Sequence, residues 1–190
     1  MFTKWVRLTN AIRYGWDGET IPGIPNSSPV NVGVIKAKSV EGNEYYVNAW
    51  SYGKSYGFKT DALRDNAGDG IYVGSGSDAE SEDSYTLSEP ITSGISGNVT
   101  RSYVYNPAGE LVIRYTVLIT NSSSSDITIT EIGKVGRVPT IGTLGGTLNT
   151  SAQKAFLLDR TLLESPLVIA AGDTGAINYD LIVFDPSIES

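Results

Sequence analysis

The stretch "ELVIRYTVLIT", Glu110–Thr120, alternates its side chains with the period of a β-strand, in which successive residues point to opposite faces. One face of this strand would carry Leu111, Ile113, Tyr115, Val117 and Ile119. The opposite face would carry Val112, Arg114, Thr116 and Leu118. The pattern predicts a central strand that is covered on one side and partly covered on the other.

Turn signals stand on both sides of this strand. Before it, the strand "VTRSYVY" ends in "NPAG", Asn106–Gly109, in which proline presets the backbone for a tight turn. After it, the polar "NSSSSD", Asn121–Asp126, leads into the alternating "ITITEIG" that begins at Ile127. We therefore expect two hairpins that connect three consecutive antiparallel strands.

The C-terminal third has the same texture. A turn is predicted at "AGDTG", Ala171–Gly175, before a last strand over Ala176–Phe184. Ala152–Leu163 contains good helix formers, but its apolar residues also alternate, and Thr161 favours a strand. We expect an all-β fold, an antiparallel β-sandwich of jelly-roll or Ig-like type, with about seven or eight strands in a domain over residues 61–190.

Residues 1–60 contain ten of the 18 aromatic side chains. We expect an extended N-terminal arm over residues 1–29 and a β-hairpin region over residues 30–60 that turns at Glu41–Asn43. The arm has too little regular pattern to fold alone, and aromatic anchors of its type are enriched in protein interfaces. Its predicted interaction residues are Phe2, Trp5, Tyr14 and Trp16.

The composition excludes several classes of chemistry. The chain has no Cys and no His, so it lacks disulfides, thiolate or imidazole metal ligands and Ser-His-Asp or Cys-His catalytic groups. The net charge of −7 argues against binding to nucleic acid, which requires clustered basic residues. No window approaches the roughly 20 apolar residues of a membrane span, so we expect a soluble protein without a membrane partner.

The segment "GIYVGSGSDAESEDSYTLSEPI", Gly70–Ile91, raises the question of a ligand site. "GSGSDA" at Gly74–Ala79 matches the spacing of a dinucleotide-binding turn, but acidic residues and Pro90 follow it where that motif needs a helix. A calcium loop would need a turn glycine and a distal Glu in register. We expect a solvated or partner-facing loop without a cofactor, and the weak candidates for an irregular metal site are Asp78, Glu80, Glu82 and Asp83.

No pair of carboxylates has a spacing that indicates a glycosidase. The acidic residues on or beside predicted strands are Glu131, Asp159, Asp173 and Asp180. We expect no catalytic residues and no enzymatic activity.

Three elements of residues 66–185 resemble a pattern of small structural proteins of tailed bacteriophages. A V-G-x-G turn at Val73–Gly76 is followed by an acidic element at Asp83–Tyr85 and by L-x-x-x-I at Leu87–Ile91. The later strands and the Gly-Asp turn also fit this pattern. The resemblance implies a β-sandwich component of a virion, such as a capsid auxiliary or decoration protein, a head–tail component or a tail component.

We therefore expect a non-enzymatic virion protein that is made in the host cytoplasm and present in many copies. Its arm would pack on the capsid or head–tail apparatus, so its partners would be other virion proteins and copies of itself. The alternative is a carbohydrate- or receptor-binding module of a tail fibre or head spike. For that module, "SYGKSYGF" offers sugar-stacking candidates in Tyr52, Tyr56 and Phe58.

Overall fold

The computed structural model of the protein describes residues 34–48, 62–64, 68–81, 83–107, 109–144 and 147–184. Within these residues every helix or strand element is a β-strand, which confirms the all-β class. The strands are β1 (Val34–Lys38), β2 (Glu44–Asn48), β3 (Gly70–Gly74), β4 (Ile95–Tyr105), β5 (Leu111–Asn121), β6 (Ile127–Leu144), β7 (Thr147–Ile169) and β8 (Thr174–Phe184).

The long strand β6 organises a five-stranded antiparallel sheet. One edge of β6 pairs with β3, from Gly70 opposite Val135 to Gly74 opposite Glu131, and farther along with β2. The opposite edge of β6 pairs with β7. β1 pairs with β2, so the predicted hairpin is confirmed, and Gly42 takes the positive φ of 86° at its turn.

A three-stranded antiparallel sheet places β5 between β4 and β8. The predicted central strand and the β4–β5 hairpin are therefore confirmed, with Tyr105 opposite Leu111 beside the turn. Within that turn, the N–H of Gly109 donates to the carbonyl of Asn106. The strand preference of residues 152–163 is confirmed as well, since they lie inside β7.

The predicted hairpin between β5 and β6 is wrong. β5 belongs to the three-stranded sheet and β6 to the five-stranded sheet, so residues 122–126 cross from one sheet to the other. The side-chain amide of Asn121 supports the crossing by donating to the carbonyls of Ser125 at 2.8 Å and Ile169 at 2.9 Å. The expectation of three consecutive paired strands fails for the same reason.

The connection from β7 to β8 crosses between the sheets at the same corner. The N–H of Gly172 donates to the carbonyl of Asn121, and the N–H of Asn121 donates to the carbonyl of Asp173, each at 2.9 Å. Between residues 61 and 190 the described part has six strands, fewer than expected, because β6 and β7 run for 18 and 23 residues.

The main core lies between the two sheets of the sandwich. β5 contributes the inward face that its alternation predicts, with Ile113, Tyr115, Val117 and Ile119 buried. Facing residues of the five-stranded sheet are Ile71, Val73, Ile129 and Ile132. A second apolar cluster includes Tyr72 and Val135, whose neighbours along β3 and β6 point the opposite way into the main core, so this cluster lies on the outer face of the five-stranded sheet.

Candidate functional site

Residues 75–91, called the acidic segment below, leave the five-stranded sheet at the end of β3 and return to the same place. The N–H of Ser75 donates to the carbonyl of Glu89, and the N–H of Ile91 donates to the carbonyl of Val73, each at 2.9 Å. The two ends of the segment are therefore held together beside β3.

Leu87 fastens the middle of the acidic segment to the outer face of the sheet. Its side chain is 1% exposed and joins the cluster of Tyr72, Val135 and Leu157. Gly133 of β6 leaves room for it, because a Cβ there would lie 3.0 Å from a methyl carbon of Leu87. The segment thus covers part of the sheet that would otherwise expose apolar surface to water.

A buried ion pair lies beneath the same segment. Nε of Arg160 donates to Oε2 of Glu131 at 2.7 Å, and the two side chains are 3% and 0% exposed. Oε1 of Glu131 also accepts the N–H of Glu89 at 2.9 Å, and Oε2 accepts the N–H of Ser88 at 3.2 Å. The carboxylate therefore binds the backbone of the acidic segment as well as the guanidinium.

Arg160 completes the attachment from the other side. Its terminal nitrogens donate to the carbonyls of Asp78 at 2.8 Å and Ala79 at 3.1 Å and to Oγ of Ser88 at 3.2 Å. The planar guanidinium presents its donors in a fixed geometry and can serve several acceptors at once. One arginine therefore joins both halves of the acidic segment to Glu131.

The glycines of the V-G-x-G turn allow this close approach. A Cβ on Gly74 would lie 2.5 Å from Oε1 of Glu131, and a Cβ on Gly76 would lie 2.6 Å from the same atom. The Gly76 position would also meet Oγ of Ser88 at 1.8 Å. The spacing of these glycines in the sequence matches that of a phosphate-binding turn. In the structure they lie against a protein carboxylate instead.

The pKa of Glu131 lies below its usual value of 4.5. Burial alone raises that pKa, but hydrogen bonds from the N–H of Glu89, from Arg160 and from the N–H of Ser88 together lower it. The folded protein therefore favours the charged carboxylate at this position.

The candidate metal ligands do not form a common site within the described residues. Asp78 and Asp83 are exposed, whereas Glu80 accepts the N–H of Leu162 at 2.8 Å. Glu82 lies outside the described residues. Among the described side chains there is no group of three acidic residues that could hold an ion.

A second polar cluster lies inside the sandwich. Lys134 of β6 is fully buried, and its Nζ lies 3.8 Å from Oδ1 of Asp69, which precedes β3. Asp159 of β7 stands opposite Lys134 and accepts a hydrogen bond from the hydroxyl of Tyr179. Burial, followed by the charge of Asp159, raises the pKa of Tyr179 well above its usual 10.0, so the hydroxyl keeps its proton.

The carboxylates considered for a glycosidase lie in different parts of the structure. Glu131 lies under the acidic segment, and Asp159 lies between the sheets. Asp180 forms a two-point ion pair with Arg114, with both bonds at 2.7 Å, and Asp173 is an exposed residue of the β7–β8 turn.

The predicted interaction residues Phe2, Trp5, Tyr14 and Trp16 and the predicted sugar-stacking residues Tyr52, Tyr56 and Phe58 lie outside the described residues. Exposed aromatic side chains instead occur on β4, where Tyr103 is 64% and Tyr105 is 74% exposed. Their alternation in "VTRSYVY" indicates a strand face, but it does not reveal that the face is left uncovered.

Sequence reasoning missed Arg160, which pairs with Glu131, and Lys134, which lies beside Asp69. The available signal was a charge inside an apolar run, in "LLDR" for Arg160 and in "EIGK" for Lys134. Long charged residues are almost never fully buried unless they are paired, so such a run predicts a partner without identifying it.

No protein-family model matches the chain, and no curated protein or solved structure matches it at a significant level. Within the described residues, no helix reaches the length and apolar character needed to cross a bilayer.

Proposed function

We propose that this protein is a non-enzymatic structural protein of a bacteriophage virion, present in many copies and packed on the capsid or head–tail apparatus. It is made in the host cytoplasm and then incorporated into the particle. The resemblance of residues 66–185 to small phage structural proteins supports this assignment. The observation that carries the proposal is the exposed aromatic surface of β4.

β4 pairs only with β5 among the described strands, so no other described strand occupies its second edge. Tyr103 stands opposite Ile113, whose side chain is in the main core, so Tyr103 and Tyr105 lie on the inward face of their sheet. They nevertheless remain mostly exposed. Tyrosine is enriched in protein interfaces because it buries a large apolar ring while its hydroxyl keeps a polar contact.

The attachment of the acidic segment also suits a particle subunit. Its backbone is tied to Glu131 and Arg160, while Asp78 and Asp83 remain exposed. A neighbouring protein would therefore meet a fixed acidic surface and lose little conformational entropy on binding. The N-terminal arm would add its aromatic anchors to this contact.

Quantitative mass spectrometry of purified particles tests the proposal. We expect many copies per particle, and deletion of residues 1–29 should leave a folded protein that is not incorporated. Replacement of both Tyr103 and Tyr105 by Ser should lower occupancy. The matched control is Leu118→Ser, an exposed apolar residue on the outer face of β5. Particles without the protein, or full occupancy of the arm-deleted form, would contradict the proposal.

A carbohydrate- or receptor-binding module is the second candidate. The exposed rings of Tyr103 and Tyr105 favour it too, since aromatic faces can stack on sugars, and the guanidinium of Arg101 lies 5.9 Å from the Tyr103 ring centre. A glycan array of the full chain, with Tyr52→Ala and Tyr103→Ala variants, separates the two functions. Binding that either variant abolishes would favour the module, and no binding would favour the scaffold.

A further inference from the structure

The fully buried Lys134 and the carboxylate of Asp69 meet in the interior of the sandwich. Nζ of Lys134 lies 3.8 Å from Oδ1 of Asp69, and the Asp69 side chain is only 11% exposed. A primary amine and a carboxyl group are the two reactants of an amide bond. Their close approach away from bulk water therefore brings together the reactants of a condensation as well as the partners of an ion pair.

The start of β3 brings the two residues together. Lys134 stands opposite Ile71 in the β3–β6 pair, and Asp69 precedes β3 by one residue, from where its carboxylate reaches Nζ of Lys134. The N–H of Gly70 donates to Oδ1 of Asp69 at 2.8 Å. Gly70 has a φ of 121°, and a Cβ there would lie 2.4 Å from the carbonyl oxygen of Ala62, so the chain is closely packed around the aspartate.

The lysine side chain is fully buried beside the main core. The Tyr115 ring centre lies 5.6 Å from Nζ of Lys134, and Ile71, which stands opposite Lys134, belongs to the main core. Amide formation from such a pair begins with the transfer of one proton from the ammonium to the carboxylate. That transfer gives a neutral amine and a carboxylic acid.

A third group is placed to move protons. Asp159 stands opposite Lys134 across the β6–β7 pair, where directly opposed side chains lie close together on one face. Its Oδ2 is oriented by the hydroxyls of Tyr179 and Thr161. The carboxylate can accept a proton from the lysine nitrogen and deliver it to a leaving hydroxyl.

We propose that Lys134 and Asp69 form an intramolecular isopeptide bond. The Nζ lone pair adds to Cγ of the protonated Asp69 carboxyl, a C–N bond forms, and one C–O bond breaks. The hydroxyl leaves as water with a proton that Asp159 carries from the nitrogen. One amine and one carboxylic acid thus give one amide and one water, without an oxidant or another reactant.

The bond would join β6 to the residue that precedes β3 and close a covalent loop from residue 69 to residue 134. A crosslink of this kind restricts the unfolded chain and resists reduction, unlike a disulfide. It provides a covalent link in a chain that has no cysteine. The inference does not depend on the proposed virion function.

The intact mass of the purified, denatured full-length protein tests the bond directly. We expect a mass about 18 Da below that calculated from the sequence, because one water is lost. Trypsin should leave Lys134 uncut and yield residues 65–101 joined to residues 115–137. A wild-type protein of full mass, with ordinary cleavage after Lys134, would overturn the proposal whether or not any variant folds.

Variants distinguish the crosslink from another reaction that also releases one water. Lys134→Arg keeps a cation but removes the amine nucleophile, so the full mass should return, while Lys36→Arg, which changes an exposed lysine paired with Glu44, should keep the deficit. Asp159→Asn should slow formation of the bond, so a larger fraction of the freshly purified variant than of the wild-type protein should have the full mass. A deficit that persists in Lys134→Arg would identify a cyclic imide at Asp69–Gly70 instead and would contradict the isopeptide bond.

Discussion

Arg160 and Glu131 form a guanidinium–carboxylate pair at 2.7 Å in which neither side chain is more than 3% exposed. They lie on neighbouring strands, since Glu131 stands opposite Leu162 and Arg160 stands opposite Gly133. The pair also binds the backbone of the acidic segment, so a pair within one sheet determines where a surface segment lies. Such a buried pair specifies a conformation, because each partner alone would be a buried charge.

Replacement of Arg160 by Leu should therefore be strongly destabilising. The change leaves the Glu131 carboxylate buried without its cation, and we expect a loss of about 3–5 kcal/mol in the free energy of unfolding. Chemical denaturation measures it. Arg114→Leu is the matched control, because Arg114 also pairs with a carboxylate, that of Asp180, but does so at the surface and should lose much less. Equal losses in the two variants would contradict this account of the buried pair.

Gly76→Ala tests the close approach of the acidic segment to Glu131. The new methyl group would lie 1.8 Å from Oγ of Ser88 and 2.6 Å from Oε1 of Glu131, and overpacking of this kind costs about 1–3 kcal/mol. We also expect faster proteolysis within residues 75–91. Gly109→Ala is the control, because it has the positive φ of 83° but no atom within 4 Å of the new methyl group. It should leave proteolysis of the segment unchanged, and cleavage at the wild-type rate in Gly76→Ala would argue against a steric requirement.

Leu87→Ala tests the apolar attachment of the same segment. Truncation of a fully buried leucine removes apolar contacts and leaves a cavity, so we expect a loss of about 2–5 kcal/mol in the free energy of unfolding. Leu118→Ala removes the same atoms from a side chain that is 44% exposed and should change stability by less than about 0.5 kcal/mol. Denaturant titration of both variants provides the comparison, and a small effect at Leu87 would mean that the segment is not held by this contact.

Acid should weaken the fold through Glu131. Its pKa is lower in the folded protein than the ordinary 4.5, so the unfolded chain takes up a proton at higher pH than the folded one. The resulting stabilisation is present above about pH 4.5 and is lost as the pH falls through the folded pKa. Thermal midpoints between pH 7 and about pH 3 measure this slope.

Glu131→Gln should have a lower midpoint at pH 7 and a shallower decline in acid, because the titrating group is gone. Glu164→Gln, at an exposed position of β7, should retain the wild-type slope. An unchanged acid slope in Glu131→Gln would assign the pH dependence to other carboxylates.

Local pattern was sufficient for several elements. The alternation of residues 110–120 identified β5 and its inward face, and Pro107 and Gly109 marked the β4–β5 turn. Phe156 and Leu158 fit an alternation of side chains with a period of two. This alternation identified a strand in a segment that also contains good helix formers. These features depend on backbone geometry over a few residues, which the side chains themselves express.

Local sequence pattern did not reveal that β6 belongs to the opposite sheet from β5. The Ser-rich connection after Asn121 can close a hairpin or cross a sandwich, and the crossing is accompanied by a hydrogen bond from Asn121 to Ile169, 48 residues away. Alternation determines which side of a strand is apolar, but it does not determine which strand lies beside it.

The role of the acidic segment shows the same division. Its glycines match the spacing of a nucleotide-binding turn, but its charge and the absence of a following helix argued from sequence alone against a nucleotide site. Its attachment to Glu131 and Arg160 required β6 and β7 to pair, with an irregularity of register between Ile129 and Glu131. Composition and alternation thus determined the all-β class and the excluded chemistry, whereas the long-range pairing of strands determined which charges became buried partners.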